Sequence, residues 1–215
     1  VDFRGFIAGV LGILLALDVH EFSHAWVADK LGDPTARYMG RVSLNPIVHL
    51  DPLGTMMMLM AAMSGRGIGW GKPVPVNPYN LRYGPRVGMG IVSFAGPLAN
   101  LVTAAIVGLP LRLGLHLPGT LSLLVWQVMF INIGLAIFNL VPLPPLDGYG
   151  VLQGILASVR GPWSYRLSET LTLLERQGPF LLLLLILADQ SLGLGLLWRF
   201  MDPLVTFFSR LILGV

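Results

Sequence analysis

The sequence predicts an all-α integral membrane protein, a polytopic helical bundle of about four to six membrane segments with a short β-like or re-entrant segment around residues 65–80. Three observations lead there. Of the 215 residues, 54% are hydrophobic and only 12% charged, whereas a soluble domain carries about a quarter charged residues. The apolar residues gather in continuous runs, several near the roughly 20 residues that a helix needs to cross a bilayer. Between them, "GWGKPVPVNP" alternates prolines with valines, a pattern that a helix interior rejects.

The elements follow in order. A first helix is expected over about residues 6–31; it lacks a charged leader and runs straight into polar residues, so no cleavable signal is expected. An apolar piece at 53–63 is too short to span upright. Two clearer spans come next, roughly 87–111 and 121–141, and the proline-rich "PLPPLDG" of 142–148 then interrupts the chain. An amphipathic stretch, "WSYRLSETLTLLERQ", precedes late apolar runs that form one span or two. The length suits a single membrane-embedded domain over residues 1–215, with a catalytic core at about 5–160 and C-terminal helical segments over 161–215. Chemistry must then use the membrane part.

Charge and cysteine content exclude several classes. With no cysteine, disulfides, thiolate metal ligands and cysteine nucleophiles are ruled out, which leaves His and carboxylates to hold any metal. The net charge of +3 does not signal nucleic acid, because the fourteen Lys and Arg are scattered between apolar runs. Lys30, Arg37, Arg41, Arg66, Lys72, Arg82 and Arg86 lie between the first helix and the 87–111 span, and Arg160, Arg166 and Arg176 come later. By the positive-inside rule both regions are cytoplasmic, whereas the turn "LGLHLPGT", with Arg112 at its edge and His116 as an ordinary loop histidine, faces the other side. The first helix and the 121–141 span therefore both end at the cytoplasmic face. A multi-pass protein in a lipid bilayer is expected, with His20, His24 and Asp147 converging nearer that face. Nothing in the sequence fixes an oligomeric state.

The stretch "LDVHEFSHA" puts Asp18, His20, Glu21 and His24 in the first helix. His20 and His24 are about 40° apart in azimuth and about 6 Å apart along the axis, so both rings can face one ion. In H-E-x-x-H the imidazoles supply two neutral nitrogens for zinc, and the glutamate takes a proton from a water activated there. An ionisable group at the centre of a membrane helix costs about 2.5–3.5 kcal/mol. Structural zinc contributes about 10–16 kcal/mol in small peptides, enough to offset the cluster. One Zn2+ per chain is expected.

A third ligand is required, and the candidates are Asp147, His49, Asp51 and the acids of the amphipathic stretch. Asp147 is favoured, because Pro142, Pro144 and Pro145 prevent a regular helix and Gly148 frees the backbone to aim the carboxylate inward. His49 and Asp51, in "NPIVHLDPLGT", are read as structural. Asp18, about 160° around the helix from His20, is read as an interhelical or supporting group. In the extended "KPVPV", Pro73 and Pro75 delete donors along one edge while Val74 and Val76 keep theirs on the other, an edge suited to accept an extended peptide. Asn100, inside an apolar span, either bonds a neighbouring helix or points at the site to stabilise an oxyanion.

These residues resemble the site-2 protease family of intramembrane zinc metalloproteases. "HEFSH" fits its HExxH motif, and "NLVPLPPLDG" at 139–148 fits its NxxPxPxLDG motif in order and spacing. "GRVSLNPIVHLDPLGT", "GKPVPVNP" and "SFAGPLAN" extend the likeness over most of residues 16–150. The resemblance is to a compact form, without the PDZ or nucleotide-sensing domain that some members carry. It implies His20, His24 and Asp147 as zinc ligands, Glu21 as general base, and Asn100 and Asn139 as polar groups near the site. The implied activity is hydrolysis of peptide bonds in or near transmembrane segments of membrane proteins. The alternatives are a non-proteolytic membrane protein with a structural or transport zinc site, and a zinc hydrolase of lipids or small amides.

Overall fold

The computed structural model describes residues 3–64, 69–159 and 161–215. Its first element, α1 (Phe3–Lys30), is followed by the single-turn α2 (Thr35–Tyr38), a 3-10 turn at Pro46–His49 and α3 (Pro52–Ser64). An extended segment and a second 3-10 turn, Pro78–Asn80, lead into α4 (Pro85–Arg112). The chain continues through α5 (Gly119–Asn139), α6 (Asp147–Ser158), α7 (Pro162–Glu175), α8 (Gly178–Leu192) and α9 (Leu196–Leu213). The fold is all-α, as the hydropathy pattern predicts, and the described part of the 65–80 segment contributes one isolated antiparallel bridge, Leu50 with Gly71. Residues 65–68, including Arg66, and Arg160 lie outside the described residues.

Among the described residues, α1, α4 and α5 are long and apolar enough to cross a membrane. A fourth span results if α7 and α8, bent by 70°, count as one broken crossing. The count is thus three to four, which reaches the expected four to six only if the bent pair is one crossing; α3, as expected, is too short to span upright. The late runs form two helices, α8 and α9, separated by Gly193 and Gly195, both in the left-handed conformation at φ 62° and 63°.

α1, α4 and α5 pack mutually, and α6 lies against α4. The α4–α6 contact is made possible by two glycines, since a Cβ on either Gly90 or Gly154 would stand 2.9 Å from the other's Cα. α9 lays Met201, Val205, Phe208 and Ile212 over Ala104, Met129, Ile133 and Ile137. α4 thus packs against both α1 and α6, which bring the two imidazoles and the carboxylate of the polar cluster together.

One local difference from the sequence expectation matters for the site. Asp147 does not sit in an irregular segment; it is the first residue of α6. The three prolines fill the turn after α5, Leu146 is extended at φ −73° and ψ 156°, and the helix restarts immediately behind it. A carboxylate in the first turn is favoured by the helix dipole, and α6 is clamped on α4, so Asp147 is aimed by a rigid element.

Candidate metal centre

His20 and His24 are buried on the inner face of α1. The His24 Nδ1 lies 2.7 Å from the Val92 carbonyl, a pure acceptor, so this nitrogen carries the proton. The His20 Nδ1 lies 2.7 Å from Asn100 Oδ1. That amide is oriented by its own donations, 2.8 Å to the Ala16 carbonyl and 2.9 Å to Asn132 Oδ1, so His20 Nδ1 also donates. Both Nε2 atoms therefore present lone pairs.

They present them to a third acceptor. Asp147 Oδ2 is 3.0 Å from His20 Nε2 and 3.3 Å from His24 Nε2. Although buried, Oδ2 has no hydrogen-bond partner among the described residues. Three acceptors facing one another without a donor repel unless a cation lies among them. Bonds of about 2.0–2.1 Å in a tetrahedral zinc site put ligand atoms about 3.3 Å apart, close to these separations. Gly96 keeps the space open, since a Cβ there would lie 2.5 Å from His24 Nε2 and 2.7 Å from His20 Cε1. The donor set, two imidazoles and one carboxylate, suits a catalytic zinc centre with one position left for water.

The support behind the ligands spans three helices. Asn100 on α4 and Asn132 on α5 are fully buried, and Asn132 Nδ2 closes the chain by donating 2.8 Å to the Val128 carbonyl. Val92 is offered by α4 one residue before Ser93, whose carbonyl lacks a helical donor because Pro97 has no N–H. A cleft of 570 Å³ between α4, α6 and α7, lined by Met89, Ser93, Tyr149 and Gln153, reaches Asp147 from the side.

The remaining sequence-named residues are placed as follows. Glu21 is half-buried, one position beyond His20, and makes no hydrogen bond among the described residues. Both Asn100 N–H groups are spent on Ala16 and Asn132, so the oxyanion reading of this residue has no donor behind it. Asn139 donates 3.0 Å to the Leu135 carbonyl of its own helix and has no hydrogen bond to the three ligands. Asp51 accepts from Gly54 N at 2.8 Å and caps α3. His49 is fully buried away from the cluster: its Nε2 donates 2.8 Å to the Ser43 carbonyl, and Asp18 Oδ1 is 3.7 Å away. Among the described residues, His20, His24 and Asp147 form the group able to hold a metal.

Val74 and Val76 lie in the extended segment, and their N–H groups have no hydrogen-bond partner among the described residues. Val76 packs against Ala28, Leu81 and Val92, which seats the segment on α1 one turn beyond His24 and on α4 at the residue whose carbonyl bonds His24. One end of the segment is held by Arg41, only 4% exposed, which donates 2.5 Å to the Lys72 carbonyl and 3.3 Å to the Pro73 carbonyl. Burial pulls the Arg41 pKa below its ordinary value, and the Glu21 carboxylate opposes that shift. The other end is held by the buried Asp33, which accepts 2.7 Å from Asn77 N, 3.0 Å from Asn80 Nδ2 and 2.6 Å from Thr35 Oγ1. Burial alone would raise the Asp33 pKa, but bonds from Thr35, Asn77 and Asn80 more than reverse it and hold the carboxyl below 3.8.

Sequence reasoning missed Gly96, Asn132 and the Val92 carbonyl. An amide centred in an apolar 21-residue helix is a visible signal for Asn132. The Gly-Pro pair inside α4 is one for Gly96. The role of Val92 is carried by its backbone and has no residue signature.

Comparison with known proteins gives a consistent picture. The profile of Peptidase family M50 matches residues 114–185. The candidate zinc metalloprotease YwhC of Bacillus subtilis (strain 168) is 35% identical over 94% of this chain and 91% of its own length. The candidate zinc metalloprotease Rip2 is 32% identical in Mycolicibacterium smegmatis and 30% in Mycobacterium tuberculosis, over 69% of this chain. The matched region spans 57% of either Rip2 protein. No solved structure matches.

Proposed function

Because the chain belongs to peptidase family M50 and is a membrane-associated zinc metalloprotease, we propose that it hydrolyses peptide bonds in or near transmembrane segments of membrane proteins. The observation that carries this reading is the convergence of His20 Nε2, His24 Nε2 and Asp147 Oδ2 on one point, with no donor among them. These three residues would hold the ion. When bound, zinc lowers the pKa of a water to about 7 and polarises a carbonyl.

The chain's own residues do the rest. Glu21 accepts the proton of the attacking water as its oxygen bonds to the scissile carbonyl carbon, then returns it to the amine that leaves when the C–N bond breaks. Asn100, backed by Asn132, holds His20 with Nδ1 protonated and Nε2 free. The 570 Å³ cleft beside Asp147 gives water a route into the site. All residues given roles fall within the core of about 5–160, and α7–α9 cover and brace it. Charge distribution favours an active site nearer the cytoplasmic face.

A transmembrane helix hides its carbonyls in its own hydrogen bonds, so a substrate must unwind before cleavage. The N–H groups of Val74 and Val76, without partners among the described residues, can pair with the opened strand, and Val76 packs beside Val92, whose carbonyl holds His24. The testing experiment is Glu21→Gln in purified protein reconstituted with a single-span substrate. Zinc content should stay near one per chain while cleavage falls by about 10²–10⁴-fold. Full cleavage by this variant sinks the assignment, and zinc uptake into proteoliposomes without cleavage by the parent protein favours a transport site.

A further inference from the structure

The extended segment is gripped at both ends by buried charged side chains of opposite sign. At its start, Arg41 reaches two consecutive carbonyls, Lys72 and Pro73. At its end, Asp33 accepts from Asn77 N. Arg41 was expected from sequence to be one of the cytoplasmic flank charges; burial to 4% exposure shows a different use. A guanidinium withdrawn from water costs several kcal/mol unless its hydrogen bonds are met, so this position carries a specific demand.

Peptide geometry shows what is gained. A trans peptide is planar, with C=O and N–H pointing in opposite directions, and among the described residues the cis bond is elsewhere, at Pro144–Pro145. Fixing the Pro73 carbonyl on Arg41 therefore turns the Val74 N–H away from Arg41. Fixing Asn77 N on Asp33 turns the Val76 carbonyl away from Asp33. From Pro73 to Asn77 the two grips take backbone groups of one alternating set, the Pro73 carbonyl and the Asn77 N–H, and so turn the Val74 N–H and the Val76 carbonyl away from Arg41 and Asp33. His49 completes the mount: its carbonyl accepts 2.8 Å from Lys72 N, and its Nδ1 lies 3.5 Å from the Arg41 guanidinium.

We propose that Arg41 and Asp33 are positioning residues that set the direction and register of the open Val74–Val76 edge, and so determine how a substrate strand lies against the metal site. This rests on the peptide-docking reading above. Neither residue touches the reacting atoms. Arg41 supplies a planar fork that spans two carbonyls, which a lysine cannot reproduce.

The test uses the full chain in nanodiscs. The protein has no cysteine, so Val74→Cys introduces a single thiol that can be crosslinked to a single-span substrate carrying one cysteine near its scissile region. In the Val74→Cys parent a zinc-dependent crosslink is expected. Adding Arg41→Gln should abolish it. In the otherwise unaltered chain, Arg41→Gln should raise KM about tenfold or more, with kcat less affected and zinc content unchanged. Asp33→Ala should act likewise, and Arg41→Lys should recover part of the crosslink. Absence of a crosslink in the parent overturns the docking reading and this inference with it. A normal crosslink and KM in both Arg41→Gln and Asp33→Ala overturns the inference alone. Loss of zinc together with the crosslink in both Arg41 variants also overturns it, since the residue would then support the fold rather than the docking edge.

Discussion

Two buried polar clusters lie on α1 or on the turns that pack against it, and they are satisfied in opposite ways. Around Arg41, His49 and Asp33, most donors meet acceptors: the guanidinium bonds carbonyls through both terminal nitrogens and leaves Nε without a partner among the described residues, an imidazole bonds a carbonyl, and a carboxylate collects two N–H groups, an amide and a hydroxyl. Around His20, His24 and Asp147, every ring proton is used on the outside, and the inward atoms are all acceptors. A cluster that closes on itself holds backbone in place. One that leaves three lone pairs facing inward is built for a cation: Asp147 Oδ2, without a hydrogen-bond partner among the described residues, faces two imidazoles, whereas Asp18 Oδ1, also without one, lies 3.7 Å from His49, whose Nε2 is already spent on Ser43.

This contrast is broken most severely at the ligand that comes from another helix. Asp147→Ala removes one of three donors while leaving the α1 rings and their Nδ1 bonds intact. Zinc affinity should fall by more than about 100-fold, beyond the roughly 10- to 100-fold that an outer partner typically costs, and metal analysis of the purified protein measures it. Retention of one tightly held zinc per chain by this variant would break the contrast itself. Gly96→Ala attacks the same centre without touching a ligand. Its Cβ would lie 2.5 Å from His24 Nε2, a far end that cannot yield without losing the bond to Val92. Overpacking of this kind costs about 1–3 kcal/mol, so a fall of about 10- to 100-fold in zinc affinity is expected, with the Arg41 cluster undisturbed.

A smaller effect sharpens the comparison from behind. Asn132→Leu leaves all three ligands in place but frees one Asn100 N–H and removes its acceptor. Asn100 can then turn, and His20 loses a fixed tautomer. The expected loss is about tenfold in zinc affinity or activity, at the low end for an outer partner, and a titration with a competing chelator resolves it. Asn132→Asp keeps an acceptor for Asn100 and should do less harm to that contact, at the cost of a buried charge.

The two clusters also differed in how legible they were. The metal site announces itself, because two histidines four apart and a glutamate inside an apolar helix are costly without an ion, and "PLPPLDG" marks a place where the chain must turn. α1, α4 and α5 were readable within a few residues from hydropathy alone, since a bilayer demands about 20 apolar residues in a row. The mount of the extended segment was not readable. Arg41 looks like any flank charge, and its partners are backbone carbonyls of residues 72 and 73, which carry no side-chain signature. α6 was missed for a related reason: prolines signal where a helix cannot run but not how soon the next begins, and here it begins at Asp147 itself. Gly90 and Gly154 set the α4–α6 contact through absent side chains, a property that only the packed pair reveals.

The mildest prediction concerns the closed cluster and acid. Asp33 is held below its ordinary pKa of 3.8 by hydrogen bonds to its charged form, so the folded state binds this proton less readily than the unfolded chain. The stabilisation it provides is fully present above 3.8, where both states are ionised, and is lost as pH falls through the lower folded value. Unfolding of the parent protein in detergent should therefore show an acid limb below about pH 4, the ordinary range for an aspartate. Asp33→Asn turns one acceptor oxygen into a donor facing either the Asn77 N–H at the Oδ2 position or the Thr35 and Asn80 donors at the Oδ1 position, and should cost about 1–3 kcal/mol near neutral pH. The difference between the two proteins should shrink on acidification below pH 4, because the parent then protonates the same carboxyl. A constant difference across that range would mean that Asp33 acts through shape rather than charge, and the closed cluster would lose the electrostatic half of its contrast with the metal site.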